Sequence, residues 1–166
     1  MDPVKHYIFS DDGTFPNSKW PLLIYHQFFE AGHNAKIIEK TFASHDWSNS
    51  WRNGVYNYQH YHSITHEVMG IFSGTASILF GGPNGKEIDL NPGDVVIIPE
   101  GVAHKKMHAS KDFGCIGAYP EGMPYDLNYG KDNERPKADE NISKVGLPAT
   151  DPVKGRHGYL FEYWKP

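Results

Sequence analysis

Two stretches of the chain decide its fold, GVYNYQHYHSITHEVMGIFSG (54–74) and GDVVIIPEGVAHKKMH (93–108). The first has the spacing G-x5-H-x-H-x4-E-x6-G and the second has the spacing G-x5-P-x-G-x2-H. Imidazole nitrogens with a single carboxylate suit Mn, Fe, Co, Ni, Cu or Zn, and they fit Ca or Mg poorly. The two stretches therefore predict a divalent transition-metal site. Its four predicted ligands are His60, His62, Glu67 and His104.

The spacing of the first stretch indicates how these ligands meet. His60 and His62 lie two residues apart, so on a β-strand their side chains share one face. Residues 63–66 are long enough for a tight turn, after which Glu67 begins the next strand. A shift of register by one residue would turn His66 inward instead. The spacing favours Glu67, and His66 stays open as an alternative ligand.

The second stretch brings a distant histidine to the same place. Turns are predicted at 91–94 and 99–101, where proline fixes φ and glycine tolerates a positive φ. They place His104 at the start of a strand. Strand parity puts His108 on the same face as His104, where it is a candidate acid/base group or substrate contact. The alternative for His108 is a buried histidine bonded to a tyrosine hydroxyl.

Both stretches resemble the two signature motifs of the cupin superfamily (RmlC-like cupins). Every usual position of both motifs matches except the last, which is usually Asn and here is His108. FPNSKWPLLIYH (15–26), SWRNGVYNYQHYHSITHEVMG (50–70) and LPATDPVKG (147–155) look like the uncharacterised YjlB-like branch of single-domain cupins. The superfamily includes dioxygenases, isomerases, decarboxylases, storage proteins and sensors, so the resemblance implies a fold and a metal but no reaction.

The resemblance implies a mainly all-β fold, the cupin double-stranded β-helix or jelly-roll barrel, with one or two short peripheral helices. The length of 166 residues fits a single domain, 1–166. Within it we predict an N-terminal arm and helix at 1–49, a barrel core at about 50–120 and a C-terminal extension at 121–166. The resemblance also implies a homodimer.

Local patterns predict the individual elements. One helix is predicted over 34–45 with Asn34 as its N-cap, flanked by His33 and His45 facing solvent, and another over about 134–145. The predicted strands are 56–62, 67–74, 75–82, 86–90, 94–99, 103–109 and 113–119. The aromatic ending GYLFEYW (158–164) is expected to pack on its own barrel in preference to a second subunit.

Composition excludes several classes of function. The net charge is −4, and Lys105 and Lys106 form the only basic pair, so we expect no nucleic-acid partner. No apolar run approaches a membrane span, and residues 1–13 lack the apolar core of a signal peptide. The single cysteine, Cys115, suits a reducing compartment, and we expect a cytoplasmic protein with no membrane partner.

Two functions remain open from the sequence. The first is a mononuclear metal-dependent enzyme, oxygenase-like with iron or isomerase- or lyase-like with other metals, acting on a small polar substrate with Glu67 and His108 as candidate catalytic groups. The second is a metal or small-molecule binding or sensing protein without turnover. An open, polar pocket beside the metal would favour the enzyme. An interior closed by Phe72, Phe80 and Ile97 would favour a purely structural barrel.

Overall fold

Two antiparallel β-sheets form the body of the protein in the computed structural model, which describes residues 3–30 and 34–166. The larger sheet has the strand order β1-β2-β7-β4-β9-β3 and the smaller has the order β6-β5-β8. The strands are β1 (Val4–Tyr7), β2 (Leu22–Tyr25), β3 (Trp47–Asn53), β4 (Glu67–Ser73), β5 (Ala76–Phe80), β6 (Lys86–Leu90), β7 (Val95–Ile98), β8 (His104–Ala109) and β9 (Gly114–Pro120). The helices are α1 (Ala35–Ser44), α2 (Lys137–Lys144) and α3 (Leu160–Tyr163), with a 3-10 turn at Asp132–Glu134.

The two sheets pack face to face around a shared apolar core. Met69 and Ile71 of the larger sheet and Ile78 and Phe80 of the smaller sheet are buried in the same cluster. Strand β5 alternates buried and half-buried residues, as expected for a strand with one face on a core. This sandwich of short antiparallel strands confirms the predicted all-β jelly roll with short peripheral helices.

Helix α1 covers the outer face of the larger sheet. Its N-cap is Asn34, whose side chain accepts a hydrogen bond from the backbone N–H of Ile37, as predicted. Ile38 and Phe42 are fully buried against β4. They lie so close to Gly70 that a β-carbon there would come within 2.6 Å of Ile38. The glycine is therefore what lets the helix approach the sheet.

The prediction of a strand over 56–62 is wrong. His60 and Tyr61 form isolated bridges to two different segments, His60 to His104 and Tyr61 to Asn128. Because successive residues hydrogen-bond to different partners, no continuous ladder forms there. The edge strand β3 was not predicted, since its sequence WSNSWRN is polar and a bulge between Ser48 and Trp51 breaks the alternation.

The C-terminal segment packs on its own chain, as expected. Trp164 is 1% exposed, donates a hydrogen bond from Nε1 to the carbonyl of Pro21 over 2.7 Å, and stacks on Trp20. The fully buried Asp151 accepts a hydrogen bond from the Tyr25 hydroxyl. These contacts hold the chain end against β2.

Two further observations concern the described residues. None of the helices found in them has the length and apolar character needed to cross a membrane. The expectation that His33 faces solvent falls outside the described residues.

Candidate metal centre

The structure brings the four predicted ligands together at one end of the sandwich. One ring nitrogen from each of His60, His62 and His104 lies within 4.8 Å of the other two, and all three residues are buried. The Glu67 carboxylate lies 3.4 Å from Nε2 of His62 through Oε2 and 3.4 Å from Nε2 of His104 through Oε1. Three imidazoles and one carboxylate thus face a common centre.

Local backbone structure places each ligand. His60 and His104 exchange both backbone hydrogen bonds, which sets their side chains next to each other with ring centroids 4.0 Å apart. Glu67 is the first residue of β4 and His104 the first of β8. Gly101, with φ of +85°, turns the chain just before His104, and a β-carbon there would lie 2.3 Å from the carbonyl oxygen of Asn17. The predicted turn at 99–101 therefore needs glycine at position 101, because any β-carbon there would clash with the backbone.

Backbone carbonyls fix the orientation of all three imidazoles. Nδ1 of His60 lies 3.1 Å from the carbonyl oxygen of Tyr58, Nδ1 of His104 lies 3.1 Å from that of Val102, and Nδ1 of His62 lies 2.6 Å from that of Asp126. A carbonyl only accepts hydrogen bonds, so each Nδ1 carries the proton and each Nε2 presents a lone pair to the centre. This is the usual arrangement of histidines that bind a metal.

The carboxylate is held as firmly as the imidazoles. The hydroxyl of Tyr119 donates a hydrogen bond to Glu67 Oε2 over 2.8 Å, and it accepts one from Nε1 of Trp51 over 2.9 Å. Tyr119 is 1% exposed. The two aromatic residues therefore orient Glu67 toward the histidines.

The pKa values of these groups shift in different directions. Burial lowers the pKa of His60 to about 3, and the neighbouring His104 adds to the effect. Burial also opposes the charged forms of His62 and Glu67, but their mutual attraction outweighs it. The pKa of His62 is therefore raised and that of Glu67 lies below its usual range. Burial, and then the charge of Glu67, raises the pKa of Tyr119, so this hydroxyl keeps its proton.

The donor set fits a divalent transition metal. Lone pairs of Nε2 and of the carboxylate oxygens face each other at 3.4 Å, and only a proton or a cation between them makes that contact favourable. Three imidazole nitrogens and one carboxylate suit the metals predicted from the sequence. The residues that would hold the metal are His60, His62, Glu67 and His104.

A loop after β9 closes one side of the centre. The carboxylate of Asp126 accepts hydrogen bonds from the backbone N–H and the hydroxyl of Ser63 and from Nδ2 of Asn128. These bonds hold the carbonyl of Asp126 against His62 and place the ring of Tyr125 5.2 Å from the His62 ring. Asp126 is therefore a positioning residue for one of the ligands.

A cavity with a volume of about 160 Å³ opens beside the four ligands. Its walls come mainly from β3, from the segment after it and from the loop after β9. Phe80 and Ile97 are buried in the packed layers, and Phe72 lies under the guanidinium of Arg52 at 5.8 Å. They leave the cavity open, so the closed interior that would favour a structural barrel is not observed. The residues of the cavity wall besides the ligands include Trp51, Asn53, Tyr56, Tyr119, Tyr125 and Leu127.

The expectation that His108 shares a face with His104 is wrong. The pairing of β5 with β8 shifts between Ser77 and Ile78, so that Ile78 faces Lys106 while Ser77 faces His108. This extra residue inverts the parity of the strand beyond it. The structure accordingly places His108 on the exposed side of β8, outside the group around Glu67.

His66, the alternative ligand, points to the other side of the sheet. Its Nε2 lies 2.9 Å from the carbonyl of Gly146, its Nδ1 lies 2.9 Å from the carboxylate of Glu100, and its ring packs on Trp164. The register therefore agrees with Glu67 as the inward residue, as the spacing favoured.

Sequence reasoning missed Trp51, Tyr125 and Asp126. Trp51 lies on the unpredicted strand β3, and the other two lie in a loop that the sequence pattern does not connect with the centre. The only local signal for this loop in the sequence is the adjacent pair Tyr125 and Asp126, which follows the strand predicted over 113–119.

Comparison with known proteins identifies the family. No protein-family model matches the chain. The uncharacterized protein YjlB from Bacillus subtilis (strain 168) is 44% identical over 159 residues, which cover 95% of this chain and 94% of that protein. The chain belongs to the YjlB family. The two-sheet jelly roll of this YjlB-family chain is the cupin fold that its two signature motifs predict.

Solved structures with a similar fold are distant in sequence. Acireductone dioxygenase from Bacillus anthracis, with a cadmium ion in its active centre, is 16% identical with a TM-score of 0.42, over 74% of this chain and 82% of that one. A DUF861 family protein from Thermotoga maritima is 20% identical with a TM-score of 0.36, over 53% and 92%. The coconut allergen cocosin is 16% identical with a TM-score of 0.41, and the match covers 48% of this chain and 23% of cocosin. None of these proteins identifies a function for this chain.

Proposed function

We propose that the protein is a mononuclear metal-dependent enzyme that binds one divalent transition metal through His60, His62, Glu67 and His104. The observation that supports it is the convergence of three Nε2 atoms and one carboxylate beside a cavity, with every Nδ1 already hydrogen-bonded to the backbone. Orienting ligands in this way before the metal arrives is what tight binding requires.

A small molecule has room next to this centre. Four protein ligands leave one or two positions free on a five- or six-coordinate ion, and the cavity lies beside them. When bound, the metal supplies Lewis-acid polarisation of a substrate oxygen or, as iron, reaction with O2. An oxygenase-like reaction with iron and an isomerase- or lyase-like reaction with other metals are the two forms of the proposal.

The chain's own residues give the cavity its remaining chemistry. Glu67 is the carboxylate of the cavity wall, and its neighbours keep it ionised. Tyr119 keeps its proton and holds Glu67 by a hydrogen bond, so it fixes the position of the carboxylate when substrate enters. Trp51, Tyr125 and Leu127 line the cavity beside the centre.

Metal content per chain tests the binding half of the proposal. Protein purified without a polyhistidine tag or chelator is expected to carry about one equivalent of a transition metal by elemental analysis. His62→Ala should lose it, whereas His108→Ala is the matched control because His108 is an exposed histidine outside the cluster. Absence of metal in the wild-type protein, even after reconstitution under reducing conditions, would contradict the proposal.

Turnover tests the catalytic half. The iron-loaded protein is assayed for O2 consumption with small polar substrates, and the zinc-, manganese- or nickel-loaded protein for isomerisation or elimination, each against His62→Ala. Stoichiometric binding with no turnover in either series would leave a binding or sensing protein. The RmlC-like placement, the homodimer and the cytoplasmic location remain predictions from the sequence.

A further inference from the structure

The walls of the cavity beside the metal centre are aromatic and partly uncovered. Tyr125 is 43% exposed and stacks on Tyr119 with ring centroids 5.0 Å apart and an interplanar angle of 23°. Tyr56 is 47% exposed and meets His60 edge to face at 5.1 Å. Tyr125 likewise meets His62 at 64°. Two exposed tyrosine rings thus stand beside two different ligand histidines.

Apart from the predicted ligands, Arg52 is the one residue of the described cavity wall with a charged side chain. Its guanidinium lies 5.8 Å from the centroid of the Phe72 ring, and Phe72 packs against the core cluster beneath helix α1. Asn53 is neutral and uses its side-chain oxygen to accept a hydrogen bond from the N–H of Gly54. Because this guanidinium already lies over Phe72, the described wall offers a ligand mainly neutral and aromatic groups away from the metal centre.

The size of the cavity suits one small ring. Its volume is about 160 Å³. An apolar protein cavity of about 150 Å³ is large enough to take up benzene. An exposed tyrosine face also favours a flat, conjugated partner, because offset-stacked or edge-to-face rings gain energy beyond the apolar area that they bury.

From these features we propose that the substrate is a small planar, conjugated ring compound whose one polar or anionic group faces the metal centre, with its ring against Tyr125. This rests on the proposed function, since the metal holds the polar group. The remainder of the ligand is uncharged, in agreement with the neutral wall. The recognition element that the cavity wall supplies is thus the stacked pair of Tyr119 and Tyr125, with Tyr56 beside His60.

Two ring acids of equal charge and similar size test the proposal. Zinc binding to the metal-free protein is measured first, by competition with a chromophoric chelator. The zinc-loaded protein is then titrated with benzoate, which is planar, and with cyclohexanecarboxylate, which is not, and binding is followed by calorimetry. Benzoate is expected to bind about threefold to tenfold more tightly, the range that ring stacking supplies.

A matched pair of variants assigns the effect to the wall. Tyr125→Leu keeps apolar bulk but removes the ring, and it should bring the two affinities to within about twofold of each other. Tyr129→Leu is the control, since Tyr129 is also an exposed tyrosine (39%) but lies outside the cavity wall, and it should keep the wild-type preference.

The outcomes separate the two proposals. A protein that fails to bind zinc overturns the metal proposal itself. Zinc-loaded protein that binds both acids equally, or prefers cyclohexanecarboxylate, overturns the ring proposal while the metal proposal stands. A preference that persists in Tyr125→Leu overturns the assignment of the ring to Tyr125.

Discussion

Asp126→Ala is expected to weaken metal binding although the Asp126 side chain does not face the metal centre. The carboxylate accepts hydrogen bonds from the backbone and the hydroxyl of Ser63, which follows His62 directly, and from Asn128 over 2.9 Å. Its own carbonyl receives the Nδ1 proton of His62 over 2.6 Å. The variant removes three side-chain bonds that hold this loop and leaves the backbone bridge between Tyr61 and Asn128, so we expect the imidazole to be held less firmly in its orientation.

The expected magnitude follows from these contacts. Loss of a partner that orients a metal-bound histidine typically costs about 10- to 100-fold in metal affinity, which is about 1.4–2.7 kcal/mol. The metal-free protein should also lose stability. A hydrogen bond to a charged group contributes about 1.5–3 kcal/mol, and because Asp126 is only half-buried and water replaces part of this, we expect a loss of about 2 kcal/mol.

Three variants, each compared with the wild type, make the measurement decisive. Zinc affinity is determined by chelator competition, and the free energy of unfolding of the metal-free protein by urea denaturation. Asp126→Asn keeps one side-chain oxygen as an acceptor and should fall between wild type and Asp126→Ala. Asp89→Ala removes an exposed aspartate on β6 and should match wild type. If Asp126→Ala binds zinc within twofold of wild type while its stability falls, the loop does not orient His62 and the reasoning is refuted.

Three further predictions concern the scaffold. Trp164→Ala should lower the free energy of unfolding by about 3–5 kcal/mol, because it empties a fully buried site and removes a hydrogen bond; a loss below 1 kcal/mol by urea denaturation would show that the chain end is not anchored there. Gly70→Ala should lower the free energy of unfolding by about 1–3 kcal/mol, since the added methyl would lie 2.6 Å from a side-chain carbon of Ile38 on α1. An unchanged midpoint of urea denaturation would contradict that contact. Asp11→Asn should lower the free energy of unfolding at pH 7 by less than about 1 kcal/mol, because solvent screens the ion pair between Asp11 and Arg135. Arg135 lowers the pKa of Asp11, so the difference from wild type should be present above the ordinary aspartate pKa and vanish as the pH falls through the lowered one; a difference that grows on acidification would be inconsistent with this.

The convergence of the four predicted ligands could be predicted because its signal is local. His60 and His62 are two residues apart, and Glu67 and His104 each start a strand after a turn marked in the sequence. Strand β6 was predicted over 86–90, which are its observed bounds, because turn residues flank it on both sides. Where spacing and turn residues together determine the backbone, the sequence alone predicts where the side chains lie.

The rest of the site depends on irregular backbone and on long-range packing. One extra residue in β8 turned His108 outward, and strand parity has no means of anticipating a bulge. Tyr125 and Asp126 reach His62 across more than sixty residues of sequence, through a loop without any periodic pattern. Their role emerges only from the folded arrangement.

Two of the four predicted ligands lie on different sheets of the sandwich. Glu67 opens a strand of the six-stranded sheet, while His104 opens a strand of the three-stranded sheet and holds His60 by its backbone. If they bind the proposed metal ion, that ion would act as a removable cross-link between two layers that also pack through a shared apolar core. Such a cross-link should make it harder for the two layers to separate. Amide hydrogen exchange in β4 and β8 should therefore slow together when the metal binds.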